Sequence, residues 1–161
     1  MSSASGASGA ASSVGAGREP TSRELIAGLV HRYADAVVRK DQAQWASTWA
    51  EDAAWHLGAG RSVQGRDSIV ELWVKAMGGF AAVVQTVNNG ETHVEGDSAT
   101  GRWYIHEHFC RANGVPGILL AYYDDTYVKV DGHWLFASRA LVPQYQGPPD
   151  LSAPFLNRID Q

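Results

Sequence analysis

The chain has one cysteine, Cys110, in 161 residues. A lone thiol excludes an intrachain disulfide and does not by itself make a thiolate metal site, so nothing asks for an oxidising compartment and a cytoplasmic location is expected. Basic clusters are missing as well: no block of Lys or Arg exceeds the Arg39-Lys40 pair, the net charge is -4 and the pI is near 5.8. That balance leaves no electrostatic footprint for nucleic acid or an anionic membrane surface, and neither partner is expected. No apolar run approaches the roughly eighteen residues that a membrane span needs. The opening MSSASGASGAASSVGAGRE is Ser, Ala and Gly with almost nothing to bury. It lacks the basic start and leucine-type run of a signal peptide, so residues 1–20 are expected to form a disordered tail.

What is present suffices for one core. A chain of this length with 45% apolar residues supports a single domain and is too short for two comfortable ones. Thr21-Ser22-Arg23-Glu24 has the spacing of a capping box. Leu25, Ile26, Leu29, Val30, Tyr33 and Val37 then recur at helical spacing, with Arg32, Asp35 and Arg39 turned away. Asp41 can cap a second helix carrying Trp45 and Trp49 on one face, and Asp67 a third, running through Ile69, Leu72, Trp73 and Met77 to Gly78-Gly79.

After Phe80 the apolar period changes to two. Strands are expected at about 81–95, 99–112, 117–130 and 133–142, joined at Gly96-Asp97, Asn113-Gly114 and Asp131-Gly132, with a shorter pair at about 53–58 and 61–64. The domain should span 21–142. The extension 143–161 is too rich in proline for regular structure, yet its Tyr145, Leu151, Phe155 and Leu156 suit draping over the sheet or a neighbouring subunit. Helices followed by long antiparallel hairpins make an α+β architecture. Helices laid over the concave face of a curled sheet leave a cavity where the two fail to meet.

Three segments carry a family resemblance: RYADAVVRKDQAQWASTWAEDAAW at 32–55, ATGRWYIHEHF at 99–109 and YDDTYVKVDGHWLFASR at 123–139. With their spacing they resemble the SnoaL-like group of the nuclear transport factor 2-like superfamily over about 22–142. The resemblance implies a cone-shaped α+β barrel, three helices packed on a strongly curved, mostly antiparallel sheet, and a homodimer or homotrimer. It is similar to the dehydratases of that group, scytalone dehydratase and bile acid 7α-dehydratase among them. These use an aspartate late in the first helix and a histidine on the first long strand to shuttle a proton. Here the aspartate position falls on Val38 and the histidine position on Gln85. A further acidic position falls on Glu107, and a late arginine position near Pro143. Valine cannot exchange a proton and glutamine hydrogen-bonds without titrating, so the family dyad is absent and only the acidic position is kept.

Glu107 alternates with Trp103, Ile105 and Phe109, so it should share an interior strand face and have its pKa raised by desolvation. The alternative is a structural bridge from Glu107 to Arg139 or a tyrosine. Gln85 and Asn88 could orient a ligand oxygen, or be ordinary strand amides with Asn88-Asn89-Gly90 forming a bulge. Tyr33 could donate its phenol proton to a ligand, or be a core residue. His56 is a pocket candidate because the resemblance puts its strand across the cavity mouth. His106 and His108 alternate with Glu107 onto the outer face; a metal there would need a third ligand that the sequence does not supply, so none is expected. Trp45, Trp49, Trp55 and Trp73 read as core or apolar pocket wall, favouring a flat hydrophobic ligand. Arg139 is expected to pair with Glu51-Asp52. Together these residues suggest a cofactor-independent lyase or isomerase acting on a small hydrophobic cyclic or aromatic compound. Glu107 would move the proton while Gln85, Tyr33 and His56 position the substrate. The other reading is a non-catalytic binding or assembly domain with the same cavity.

Overall fold

The computed structural model describes residues 18–156. Most of the expected N-terminal tail, 1–17, and the end of the C-terminal extension, 157–161, lie outside the described residues. Helix α1 (Ser22–Arg39) starts on the anticipated capping box: the Thr21 hydroxyl accepts from the Glu24 N–H at 3.3 Å, and the Glu24 carboxylate accepts from the Thr21 N–H at 2.7 Å. Both donors would otherwise be orphaned at a helix start. Ile26, Leu29, Val30, Tyr33 and Val37 are buried, whereas Leu25, expected in the same stripe, is exposed in the first turn.

Helix α2 (Gln42–Ala46) is capped by Asp41, whose carboxylate accepts from the Gln44 N–H at 2.9 Å. It ends earlier than the Trp45/Trp49 spacing suggested. The Ser47 and Thr48 hydroxyls donate back to the carbonyls of Gln44 and Trp45 at 2.7 and 2.6 Å, satisfying the last turn and releasing the chain. Trp49 therefore opens β1 (Trp49–Gly58), and β2 (Arg61–Gln64) pairs back on it. Helix α3 (Arg66–Met77) differs too. Its cap is Gly65, with no side-chain bond, and Asp67 lies inside the first turn, where its charge still favours the helix N-terminus.

The long strands are β3 (Phe80–Glu95), β4 (Ser98–Arg111), β5 (Pro116–Val130) and β6 (His133–Gly147). The sheet order is β2-β1-β6-β5-β4-β3, antiparallel throughout except where β1 lies parallel to β6. β2 and β3 are the two edges, so this mixed sheet is not closed. The hairpin turn at Asp131-Gly132 puts both residues at positive φ, 49° and 80°, the geometry whose twist matches paired strands.

β6 runs to Gly147 rather than stopping at 142, past Pro143. Ala121 pairs with Pro143 and Leu120 with Tyr145, leaving Gln144 as the extra residue of a bulge; a bulge is where a strand tolerates proline. The chain then folds back on β6. The Tyr145 hydroxyl donates to the Pro148 carbonyl at 2.7 Å and accepts from the Ala153 N–H at 3.2 Å, and the Leu156 N–H donates to the Gln144 carbonyl at 2.8 Å.

The core lies between the helices and the inner sheet face. Trp45 stacks on Trp73 with centroids 4.6 Å apart, and Tyr33 meets Trp45, Trp49, Tyr123 and Phe136 edge-on or tilted. No described helix is long and apolar enough to cross a membrane.

Candidate functional site

Alternation along β4 turns Trp103, Ile105, Glu107 and Phe109 to the inner face, while His106 and His108 are exposed on the outer one. Register then determines the neighbours of Glu107: Gln85 lies opposite on β3 and Leu119 on β5, and Leu119 in turn faces Gln146 of β6. The Gln85 side-chain N–H donates to Glu107 Oε2 at 2.9 Å. Gln85 is only 6% exposed, and its Oε1 is buried with no hydrogen-bond partner among the described residues. With Glu107 ionised, only this amide orientation gives the carboxylate a donor. The Glu107 pKa is raised by burial, against an opposing pull from the Gln85 hydrogen bond. A half-buried carboxyl of this kind accepts or returns a proton more readily near neutral pH than an exposed one. The orphaned Gln85 oxygen meanwhile needs a donor, which a ligand hydroxyl or N–H could supply.

Deeper along the same face, Ile105 sits between Val87 and Ala121, and Trp103 opposite Tyr123. The Trp103 ring lies over Gly90, where a Cβ would come within 2.3 Å of it, and its indole N–H donates to the Tyr127 hydroxyl at 3.0 Å. Tyr127 donates to Asp125 at 2.7 Å. Asp125 holds Arg139 through two hydrogen bonds of 2.8 Å, with both side chains essentially without solvent exposure. Burial works against the Arg139 charge, but the Asp125 carboxylate more than restores it, so the guanidinium stays protonated. Arg139 also stacks on Tyr33, Tyr123 and Phe136 at 4.3, 3.9 and 4.0 Å.

Several sequence expectations change here. Arg139 pairs with Asp125, directly opposite it in the β5–β6 register, and not with Glu51-Asp52, which are exposed on β1. Glu107 is therefore not consumed by an arginine. Tyr33 is a fully buried core residue of the Arg139 cluster. Its phenol is pushed up by burial, against the charge of Arg139, which matches the core alternative for this residue. His56 is exposed on the opposite side of β1 from buried Trp55 and leaves the pocket. Asn88 is exposed in the bulge between Val87 and Gly90. Trp45, Trp49, Trp55 and Trp73 pack on one another and on Tyr33 with centroids 4.6 to 6.2 Å apart. They are packed core, one of the two readings their sequence positions allowed. Val38, at the family's aspartate position, is 40% exposed. Gln85, Glu107, Ile105 and Phe109 are brought together. Tyr123 and Asp125 were missed, although the alternation Leu119, Ala121, Tyr123, Asp125, Tyr127 marks both as inward.

Toward the open end of the face, a cleft of about 470 Å³ is lined by Phe109, Arg111, Val115, Pro116, Gly117, Gln146, Gly147 and Pro148. Phe109 and Gln146 tie it to the Glu107 row. A larger depression, about 740 Å³, lies along β4 and β5 around Arg102 and Asp124. Those two side chains satisfy each other at 2.7 and 2.9 Å, and the depression holds no buried acid or base free to react.

The family model for the SnoaL-like domain matches residues 18–140. The fold superimposes on a hexachlorocyclohexane dehydrochlorinase LinA-type3 from Novosphingobium barchaimii LL02 with a TM-score of 0.70 at 20% identity, covering 86% of this chain and 95% of that one. A scytalone dehydratase-like protein from Novosphingobium aromaticivorans DSM 12444 gives 0.75 at 22%, with the same coverage of 86% and 95%. A protein of unknown function from Mycobacterium tuberculosis gives 0.67 at 28%, covering 74% of each chain. No curated protein matches the sequence at a significant level.

Proposed function

The chain belongs to the SnoaL-like domain family of the nuclear transport factor 2-like superfamily, and from that premise we propose that it is a lyase or isomerase moving a proton on a small hydrophobic cyclic or aromatic compound without a cofactor. Glu107 is the proton-transfer group. The observation that carries this reading is the half-buried Glu107 carboxyl, raised in pKa and held by Gln85, two residues along β4 from Phe109, which lines an open cleft. Neighbours of this fold include a hexachlorocyclohexane dehydrochlorinase and a scytalone dehydratase-like protein, which suits elimination or isomerisation chemistry.

In the proposed step, ionised Glu107 takes a proton from a carbon next to an electron-withdrawing group. The electron pair left behind either shifts to form a conjugated system or expels a leaving group. The protonated carboxyl then returns its proton at another carbon, or to solvent. Gln85 orients the substrate through its unpaired oxygen while its N–H steadies the carboxylate. The second reading, binding without turnover, draws on Val38, which puts a group unable to exchange a proton where the dehydratases carry their aspartate.

Solvent-deuterium incorporation next to the carbonyl of 2-tetralone, followed by NMR, separates the two. The enzyme reading expects exchange above background, cut by about 10²–10⁴-fold in Glu107→Gln with an unchanged thermal melt. Binding of the ketone without exchange would establish the second reading.

A further inference from the structure

Resting on the Glu107 reading, we propose that Arg111 is an anion anchor at the mouth of the site and that the natural ligand is a flat hydrophobic ring compound carrying a carboxylate. Arg111 has the same inward parity on β4 as Glu107 and Phe109, so it stands on the same face, at the end that opens to solvent. Its guanidinium lies over the rings of Phe109 and Phe80, 5.1 and 5.8 Å from their centroids, and these two rings meet edge-on at 5.3 Å. At these distances the ring faces attract the cation while leaving its N–H donors free.

Those donors have no partner. Among the described residues the Arg111 side chain makes no hydrogen bond and no ion pair, whereas Arg102 and Arg139 are each matched by an aspartate. A second cation, Lys40, donates to the carbonyl of Phe80, the residue that pairs with Arg111 across the β3–β4 ladder. No carboxylate lines the cleft. In a chain of net charge -4, a cleft lined by an unpaired guanidinium and no carboxylate is a local inversion of sign that selects for an anion.

The rest of the cleft is shaped for a ring. A Cβ at Gly117 would come within 2.4 Å of the Phe109 ring, so only glycine lets that ring lie flat on the β5 backbone. Pro116 and Pro148 supply further apolar wall, and Gln146 one polar side chain. A guanidinium fork matches a carboxylate with two parallel hydrogen bonds. Arg111 is four residues beyond Glu107, about 13 Å along the strand, and its side chain bends back over Phe109. That spacing fits a one- or two-ring skeleton with its carboxylate at Arg111 and its reacting carbon toward Glu107.

The test uses 2-naphthoate and its neutral analogue 2-naphthamide as probes, with affinities from calorimetric titration of the wild-type chain, Arg111→Gln and Arg111→Lys. The wild type should bind the naphthoate about tenfold or more tightly than the amide. Arg111→Gln should abolish that preference, and Arg111→Lys should retain part of it, since lysine keeps the charge without the fork. Thermal melts report whether each variant is folded. Equal affinity of the wild type for both probes, a preference surviving in folded Arg111→Gln, or no binding of either probe overturns the proposal. Ketone exchange by the wild type without a naphthoate preference removes the anion anchor alone. A naphthoate preference without exchange removes the proton-transfer reading and leaves the anchor standing.

Discussion

Replacing Asp125 by Asn tests how the floor of the cone is held. The change keeps the shape of the side chain and removes its charge. In the native chain the carboxylate accepts two hydrogen bonds from Arg139 at 2.8 Å and one from Tyr127 at 2.7 Å, with side-chain exposures of 1% for Arg139 and 0% for Asp125. The amide leaves the guanidinium without a counter-charge, and its NH₂ faces other donors. Three aromatic rings around Arg139 soften this loss but do not neutralise a charge. Removing one partner of a buried ion pair costs about 3–5 kcal/mol. For a chain of this size each kcal/mol lowers Tm by about 2–4 °C, so a drop of about 6–20 °C is expected. Urea melts should show a lower midpoint at unchanged slope. The double variant Asp125→Leu with Arg139→Met should be less destabilised than Asp125→Asn alone, because no charge remains buried. A loss below about 1 kcal/mol in Asp125→Asn would refute this account, since it would mean that water or another group reaches Arg139.

Two further outcomes follow from the same geometry. The folded-state pKa of Glu107 is raised above its ordinary value of 4.5, so its contribution to stability is fully present below that pH and is lost as pH rises through the raised value. Urea midpoints of the wild type should therefore fall relative to Glu107→Gln across that window, and parallel pH profiles would refute the desolvation. Gly90→Ala would push a Cβ to 2.3 Å from the Trp103 ring and 2.8 Å from the Arg102 carbonyl. It should cost about 1–3 kcal/mol by overpacking, read as a thermal shift, and a neutral substitution would show that Trp103 moves freely.

Much of the site was legible because it depends on parity. Alternation along β4 places Glu107 with Trp103, Ile105 and Phe109 however the rest of the sheet is arranged, since successive strand side chains point to opposite faces. The capping box at Thr21 and the turn at Asp131-Gly132 were equally readable, because each is satisfied by residues within a few positions of one another. The end of β6 was not, because Pro143 reads as a strand breaker unless a bulge at Gln144 absorbs it.

The sequence by itself determined the local elements, their order and which side chains share a strand face, all of which are short-range consequences of backbone geometry and turn chemistry. Only the tertiary structure decided which distant groups meet. Asp125 and not Glu51-Asp52 neutralises Arg139 because the β5–β6 register places them opposite one another. Trp45, Trp49, Trp55 and Trp73 close on one another because three separate elements bring them to one point. Glu107 meets Gln85 because two long strands pair in that register. Burial and its electrostatic consequences depend on this convergence of residues far apart in the chain, and alternation along a single strand carries no information about it.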